Sequence, residues 1–269
     1  MNMDDIRLVV CDIDNTLLPS GANALSRRTA DALRAVIASG RKLLICTGRH
    51  YTLLPESFFE DLPMDIIGTI NGACLNKRDG TIIEKHPMSK EAMETITDIC
   101  IHHNIGLGFK FEDAIVTYAN YDRFIHGYVR DDPKEKAKII NDDANRTHHL
   151  EHGYPLGTFI IGDEKDIEPF VGTIDELVFA WSYRNGYDVF LKSINKSVAV
   201  ESVLKMYGMT WDNVIAFGDA GNDTPMIEKA KIGVALGNAK DDVQAHADLV
   251  AKPCVEDGVA DMLERLEII

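Results

Sequence analysis

Ile6 to Val10 is an apolar run interrupted only by Arg7, the pattern of a strand buried on both faces. Similar runs recur at Lys42 to Cys46 and at Ile66 to Ile70. Helical spacing lies between them. Ala30, Leu33, Val36 and Ile37 make one apolar face, with Ser26 suited to cap its start and Gly40 its end. A second helical stretch covers Leu53 to Glu60. Strand, helix, strand, helix, strand predicts an α/β fold built on a doubly wound, Rossmann-like parallel sheet.

The pattern then changes. Asp79-Gly80 is a hairpin turn signal. Ser89 to His103 has helical spacing, and Leu107 to Tyr118 alternates like strands around Glu112-Asp113. Asp131 to Asp143 is polar and reads as helix or loop. Thr158 to Ile161, Val178 to Trp181 and Tyr187 to Leu191 read as strands, with helical spacing near Ile167 to Leu177. After that the first pattern resumes. Ser197 to Tyr207 and Val259 to Leu266 read as helices, and Val214 to Phe217, Ile232 to Leu236 and Leu249 to Ala251 as strands. Residues 1–84 and 189–269 are therefore expected to form one discontinuous core, interrupted by an inserted α+β domain over residues 85–188.

Composition narrows the partners. The 269 residues suit one large domain or two ordinary ones. A net charge of −15, from 28 basic and 43 acidic residues, disfavours nucleic acid and anionic membranes. No apolar run approaches the ~20 residues of a membrane helix. The acidic start, Met1 to Asp5, does not read as a secretion signal. Five scattered cysteines without paired spacing suit reduced thiols and a cytoplasmic home. A monomer or weak oligomer is expected.

Asp12 and Asp14 stand at the end of the first strand, where alternation lets both side chains start toward one side. On their own they also fit a cap and a turn. Three further polar clusters, Thr47/Gly48, Asn71/Gly72 and Asp219/Asn222/Asp223, fall at or beside equivalent strand ends, and Lys196 opens a core helix. Ligands bind at the carboxyl ends of open parallel sheets, so convergence of these clusters points to one site. Crowded carboxylates call for a cation, and hard oxygen donors suit Mg²⁺. A hydroxyl, turn N–H groups and an ammonium suit an anion rich in oxygen, such as phosphate. Mg²⁺ and Lys196 would offset the acidic field locally.

Asp12-Ile13-Asp14-Asn15-Thr16, Thr47-Gly48-Arg49, Lys196 and Gly218-Asp219-Ala220-Gly221-Asn222-Asp223 resemble the four ordered motifs of the haloacid dehalogenase superfamily. The large insert after Asn71-Gly72-Ala73 looks like the Cof-type branch of sugar-phosphate phosphatases. The tail is similar too, at Gly233 to Ala239, Ala247-Asp248 and Glu256 to Val259. The resemblance implies a Mg²⁺-dependent phosphohydrolase acting on a small phosphate ester through an aspartyl-phosphate. Asp12 would be the nucleophile and Asp14 the general acid and base. Asp12, the Asp14 carbonyl and Asp219 would hold the metal. Thr47, Lys196 and the backbone N–H groups of Ile13 and Gly48 would hold the phosphoryl group. Asn222 and Asp223 would complete the surroundings. The family usually has Gly where this chain has Asn15, the non-Gly residue that best tolerates a left-handed backbone.

A phosphomutase could use the same Asp pair. A signalling receiver shares the acids, Thr and Lys but lacks so large an insert, and a non-catalytic binder would be expected to lose Asp12 or Asp14. The insert is expected to choose the substrate. Trp181, Tyr183, Arg184 and Tyr187 fit either a substrate pocket or ordinary packing. His148-His149 with His152 suggest a metal site or a surface turn, and the turn is preferred because their spacing brings no carboxylate partner. Gly106-Leu107-Gly108 lacks a third Gly and a following helix, so it is not read as a nucleotide loop.

Overall fold

A computed structural model describes residues 3–182 and 185–269. The chain opens with β1 (Leu8–Cys11), β2 (Lys42–Cys46), β3 (Ile66–Thr69), β4 (Cys74–Lys77) and β5 (Ile82–Lys85). Next come β6 (Gly106–Lys110), β7 (Ile115–Ala119), β8 (Ile139–Asn141), β9 (Gly157–Ile161), β10 (Leu177–Trp181) and β11 (Gly186–Leu191). It closes with β12 (Val214–Gly218), β13 (Ile232–Ala235) and β14 (Leu249–Val250).

The first and last groups share one sheet, in the order β14-β13-β12-β1-β2-β3-β4-β5. Every pair from β14 to β3 is parallel, and β4 runs antiparallel to β3. β1 has no polar face because it is central and covered on both sides, and all four of its residues are buried. On one side, Leu8, Val10, Leu44 and Ala216 meet Val200, Val203 and Leu204 of the helix Lys196–Tyr207. Each such fully buried aliphatic side chain contributes about 1.5–3 kcal/mol. Caps set the helix ends. Ser26 Oγ accepts the Thr29 N–H at 3.0 Å before the helix Arg27–Ala38, and Gly208 ends Lys196–Tyr207 with φ +61°.

The middle group forms a second sheet, in the order β10-β11-β9-β6-β7-β8, antiparallel except between β7 and β8. The helix Lys90–His102 packs Met93, Ile96 and Cys100 onto Leu107, Phe109 and Val116. Two compact units result. The core unit runs up to Gly48, then over Leu54–Ile83 and Asn195–Ile269. The inserted unit holds Arg49–Leu53 and Glu84–Ile194. The first passage falls at 83/84, beside the expected 84/85. The return falls at 194/195 and not at 188/189, because β11 pairs as one strand with β9 and β10 and belongs wholly to the insert. The short segment 49–53 also joins the insert, which the sequence reading did not anticipate.

Three local expectations change. The polar stretch after Asp131 contains the strand β8 as well as a short helix, Pro133–Lys136. The stretch near Ile167 to Leu177 keeps only the end of a short α-helix, Glu164–Ile167, and a 3₁₀ helix, Glu168–Phe170, followed by Gly172 at φ +80°. A helix at Tyr121–Tyr128 was not anticipated. Among the described residues no helix is long and apolar enough to cross a membrane.

Candidate active site

Asp12, Thr47, Asn71 and Asp219 each follow the carboxyl end of a parallel strand, namely β1, β2, β3 and β12. Parallel register puts these ends on one edge of the core sheet. Asp12 is 4% exposed, and its N–H donates to the Phe217 carbonyl at 3.1 Å. Lys196 is 1% exposed. Its Nζ donates to Asp12 Oδ1 at 2.5 Å and to Asp223 Oδ1 at 2.5 Å. Burying such charges costs several kcal/mol per ion unless they are paired, and this ammonium is paired twice.

Asp223 also orders the loop after β12. Its Oδ2 accepts the N–H groups of Asp219 at 2.9 Å and Ala220 at 3.0 Å. Gly218 makes that possible, since a Cβ there would lie 2.3 Å from the Asp223 Cβ. Thr16 Oγ1 donates to Asp219 Oδ1 at 3.0 Å. Asn15, the departure from the family's glycine, has φ +58° and donates its N–H to the Leu18 carbonyl at 2.7 Å. The substitution keeps a left-handed turn.

Asn71 stitches two of the other segments together. Its N–H donates to the Thr47 carbonyl at 3.0 Å, and its Oδ1 accepts Asn222 Nδ2 at 2.9 Å. The turn that carries it is strained. Ile70, Asn71 and Gly72 have φ of +52°, +54° and +92°, and a left-handed β-branched residue costs of order 1–3 kcal/mol. A Cβ on Gly72 would lie 2.4 Å from the Asn195 carbonyl oxygen, so glycine lets this turn press against the start of the Lys196 helix.

The electrostatics show a shortage of positive charge. Burial pushes the Asp12 carboxyl up; Lys196 pulls it back, but Asp223 and Asp14 push further, and it stands near 8. Burial, then Asp223, raises Asp219 to about 6 against the Thr16 hydrogen bond. Burial works against the charge on Lys196, yet Asp12 and Asp223 together hold its pKa above the ordinary lysine value. Carboxylate oxygens of Asp12, Asp219 and Asp223 all lie within 4.8 Å of one another. Three hard oxygen donors in an over-acidic cluster fit Mg²⁺ well.

Of the residues expected to hold a metal, Asp12 and Asp219 lie in one carboxylate cluster, and Asp223 lies in it too. Asp14 is exposed and its carboxylate is outside that cluster, although its charge raises both Asp12 and Asp219. Thr47, Ile13 and Lys196 are buried at the same sheet edge, and Gly48 is half-buried there. Two positioning residues received no role from sequence, Asn71 and Thr16. Each sat inside a motif already noted, so its place was visible and its partner was not. Tyr187 is placed by packing. It is 6% exposed and packs against Trp181, with ring centroids 5.1 Å apart, in the insert's apolar core. Tyr183 and Arg184 lie outside the described residues.

A family model described as haloacid dehalogenase-like hydrolase matches residues 9–263. A pyridoxal phosphate phosphatase of Escherichia coli is 27% identical over 96% of this chain and 97% of its own length. A 5-amino-6-(5-phospho-D-ribitylamino)uracil phosphatase of Bacillus subtilis is 28% identical, covering 95% of this chain and 94% of its own. Among solved structures, a phosphatase of the haloalkanoate superfamily from Bacteroides thetaiotaomicron superposes with a TM-score of 0.84 at 25% identity. That match covers 98% of this chain and 96% of the other.

Proposed function

Because this chain belongs to the haloacid dehalogenase-like hydrolases, we propose that it is a Mg²⁺-dependent phosphatase of small, sugar-sized phosphorylated metabolites. One observation carries the reading. A buried carboxylate at the end of the central strand, Asp12, is held at 2.5 Å by a buried ammonium, Lys196, inside a cluster of further acids. Such an arrangement is costly as structure and useful as a nucleophile beside an anion site.

Asp12 attacks phosphorus through a carboxylate oxygen. The bond from phosphorus to the ester oxygen breaks, and Asp14 gives that oxygen its proton. Water then attacks the aspartyl-phosphate, Asp14 takes the water's proton, and the bond from phosphorus to Asp12 breaks. Inorganic phosphate leaves and both acids return to their starting states. Exposure of Asp14 suits a group that exchanges protons with substrate and water. Lys196, the Thr47 hydroxyl and the N–H groups of Ile13 and Gly48 hold the phosphoryl oxygens, with Asn222 kept in place by Asn71. Asp12, Asp219 and Asp223, with the Asp14 carbonyl, are the groups that would hold Mg²⁺. The bound ion would neutralise phosphoryl charge and keep Asp12 ionised.

The two curated relatives act on different phosphate monoesters, which supports a class of substrate and not one compound. Choice within the class is assigned to the inserted unit, which carries only Arg49 of the four motifs. Phosphate release from a panel of phosphorylated metabolites tests the function. Release is expected with Mg²⁺, none with a chelator, and phosphate on Asp12 by mass spectrometry of the trapped enzyme. Undiminished turnover without metal, or phosphate on another residue, would overturn the reading. Net transfer of phosphate between positions of one sugar would show a mutase instead.

A further inference from the structure

The inserted unit holds a cluster that the hydrolytic chemistry does not use. Asp113 lies in the turn between β6 and β7, and Phe111 closes that turn by donating its N–H to the Ala114 carbonyl at 2.8 Å. His148 and His152 stand one helical turn apart at the short helix His149–His152, with rings stacked 4.1 Å apart at 8°. Both rings face the one carboxylate. His148 Nε2 is 3.0 Å from Asp113 Oδ1, and His152 Nδ1 is 3.4 Å from Asp113 Oδ2. The sequence spacing of the histidines was weak because it lacked a carboxylate; the fold supplies one from 35 residues away.

We propose that Asp113, His148 and His152 form a binding site for a divalent first-row transition ion of the Zn²⁺ class. Two nitrogens and one carboxylate oxygen are the donor set such ions prefer, unlike the all-oxygen cluster of the core unit. The spacing matches as well. Ligands held tetrahedrally at about 2.0–2.1 Å from an ion stand about 3.3 Å from one another. The two nitrogen-to-oxygen distances bracket that value, and all three donor atoms lie within 4.8 Å.

The donors are held before any ion arrives. Asp142 Oδ2 accepts the N–H groups of Thr147 at 2.6 Å and His148 at 3.1 Å. The His148 ring rests against Phe111, with centroids 4.8 Å apart. The neighbouring His149 is turned away: its Nδ1 meets the Tyr118 hydroxyl at 2.9 Å. Side-chain exposures of 12% for His148, 34% for His152 and 36% for Asp113 leave the cluster open to an ion from solvent. A bound ion would lock the β6–β7 turn to the helix His149–His152.

Zn²⁺ alone is the probe, in equilibrium dialysis and thermal melting of the full chain with Mg²⁺ present. Wild type should take up one equivalent more than His148→Ala, His152→Ala or Asp113→Asn, since removing a ligand weakens binding by at least about tenfold. Zn²⁺ should raise the melting temperature of wild type and not of these variants. His149→Ala should behave as wild type. Because each variant is compared with itself without Zn²⁺, any loss of intrinsic stability is separated from loss of the site. Equal uptake and equal melting shifts in wild type and the three variants, or no uptake by wild type, would overturn the proposal.

Discussion

In the core unit, Asp12, Lys196 and Asp223 lie buried within hydrogen-bond reach, Asp14 presses on Asp12, and Asp219 shares the cluster. In the inserted unit, buried Lys110 is paired with Asp188 at 2.8 Å and lies over the Phe159 ring. A balanced pair can belong to the fold alone. An excess of buried carboxylate cannot, because each unmatched charge costs stability that nothing local returns. The contrast supports the site proposed in the core: its buried acids exceed what packing accounts for, whereas the Lys110–Asp188 pair does not.

The largest effect should come from Asp12→Asn. Turnover should fall to background, because an amide does not attack phosphorus as a carboxylate does. Melting temperature should hold or rise, since one member of an over-acidic cluster becomes neutral. Phosphate-release assays and melting curves on the same preparation check this. A large loss of stability would move Asp12 to the structural side of the contrast.

Asp14→Asn should cost about 10²–10⁴-fold in turnover, the usual worth of a positioned acid and base. Asp14 is exposed, so stability should not change. A rate within tenfold of wild type would remove it from proton transfer.

Lys110→Met should show the opposite split. It removes the ammonium held 2.8 Å from Asp188, and breaking a buried pair costs about 3–5 kcal/mol, toward the lower figure here because the Asp188 side chain is 20% exposed. Denaturant unfolding should show the loss, and adding Asp188→Asn should recover part of it. Turnover at saturating Mg²⁺ should fall less than in Asp14→Asn. If activity fell further than stability, the pair would have to be read as part of the functional machinery.

The same contrast explains what could be read from the chain. Core strands announce themselves because strands covered on both faces are continuously apolar, and helix ends because Ser26 and Gly208 have local jobs. The insert is harder to read. The helix Tyr121–Tyr128 starts from a left-handed Asn120 whose own side chain makes no cap bond, its first N–H going instead to Asp143 at 2.8 Å, and β8 is only three residues inside a polar stretch. The expected helix after Ile167 meets Pro169 and Gly172. Site residues were visible as motifs at strand ends. Their mutual bonds were not, since Thr16 and Asp219 are 203 residues apart, and Asn71 and Asn222 are 151. The Asp113–His148 contact escaped for the same reason.

The smallest expected effect concerns His50, a buried polar group of the inserted unit that works only when uncharged. It is 1% exposed. Its Nε2 sits 2.9 Å from the Phe111 carbonyl, which only accepts, so that nitrogen carries the proton. Its Nδ1 then accepts the Thr52 N–H at 3.2 Å. Burial, opposed by the Phe111 bond and reinforced by the charge of Lys110, lowers its pKa to about 4. An unfolded histidine titrates near 6.5. Between those values the unfolded chain binds the extra proton, so stability is complete above about 6.5 and drains away as pH falls toward 4. The whole shift is worth at most about 3 kcal/mol. Carboxylates also titrate in this window, so the measurement is a difference: unfolding free energy against pH for wild type and His50→Gln. Wild type should lose more on acidification by up to that amount. Parallel curves would mean that His50 takes up its proton without cost, and that the insert, like the core, tolerates buried charge.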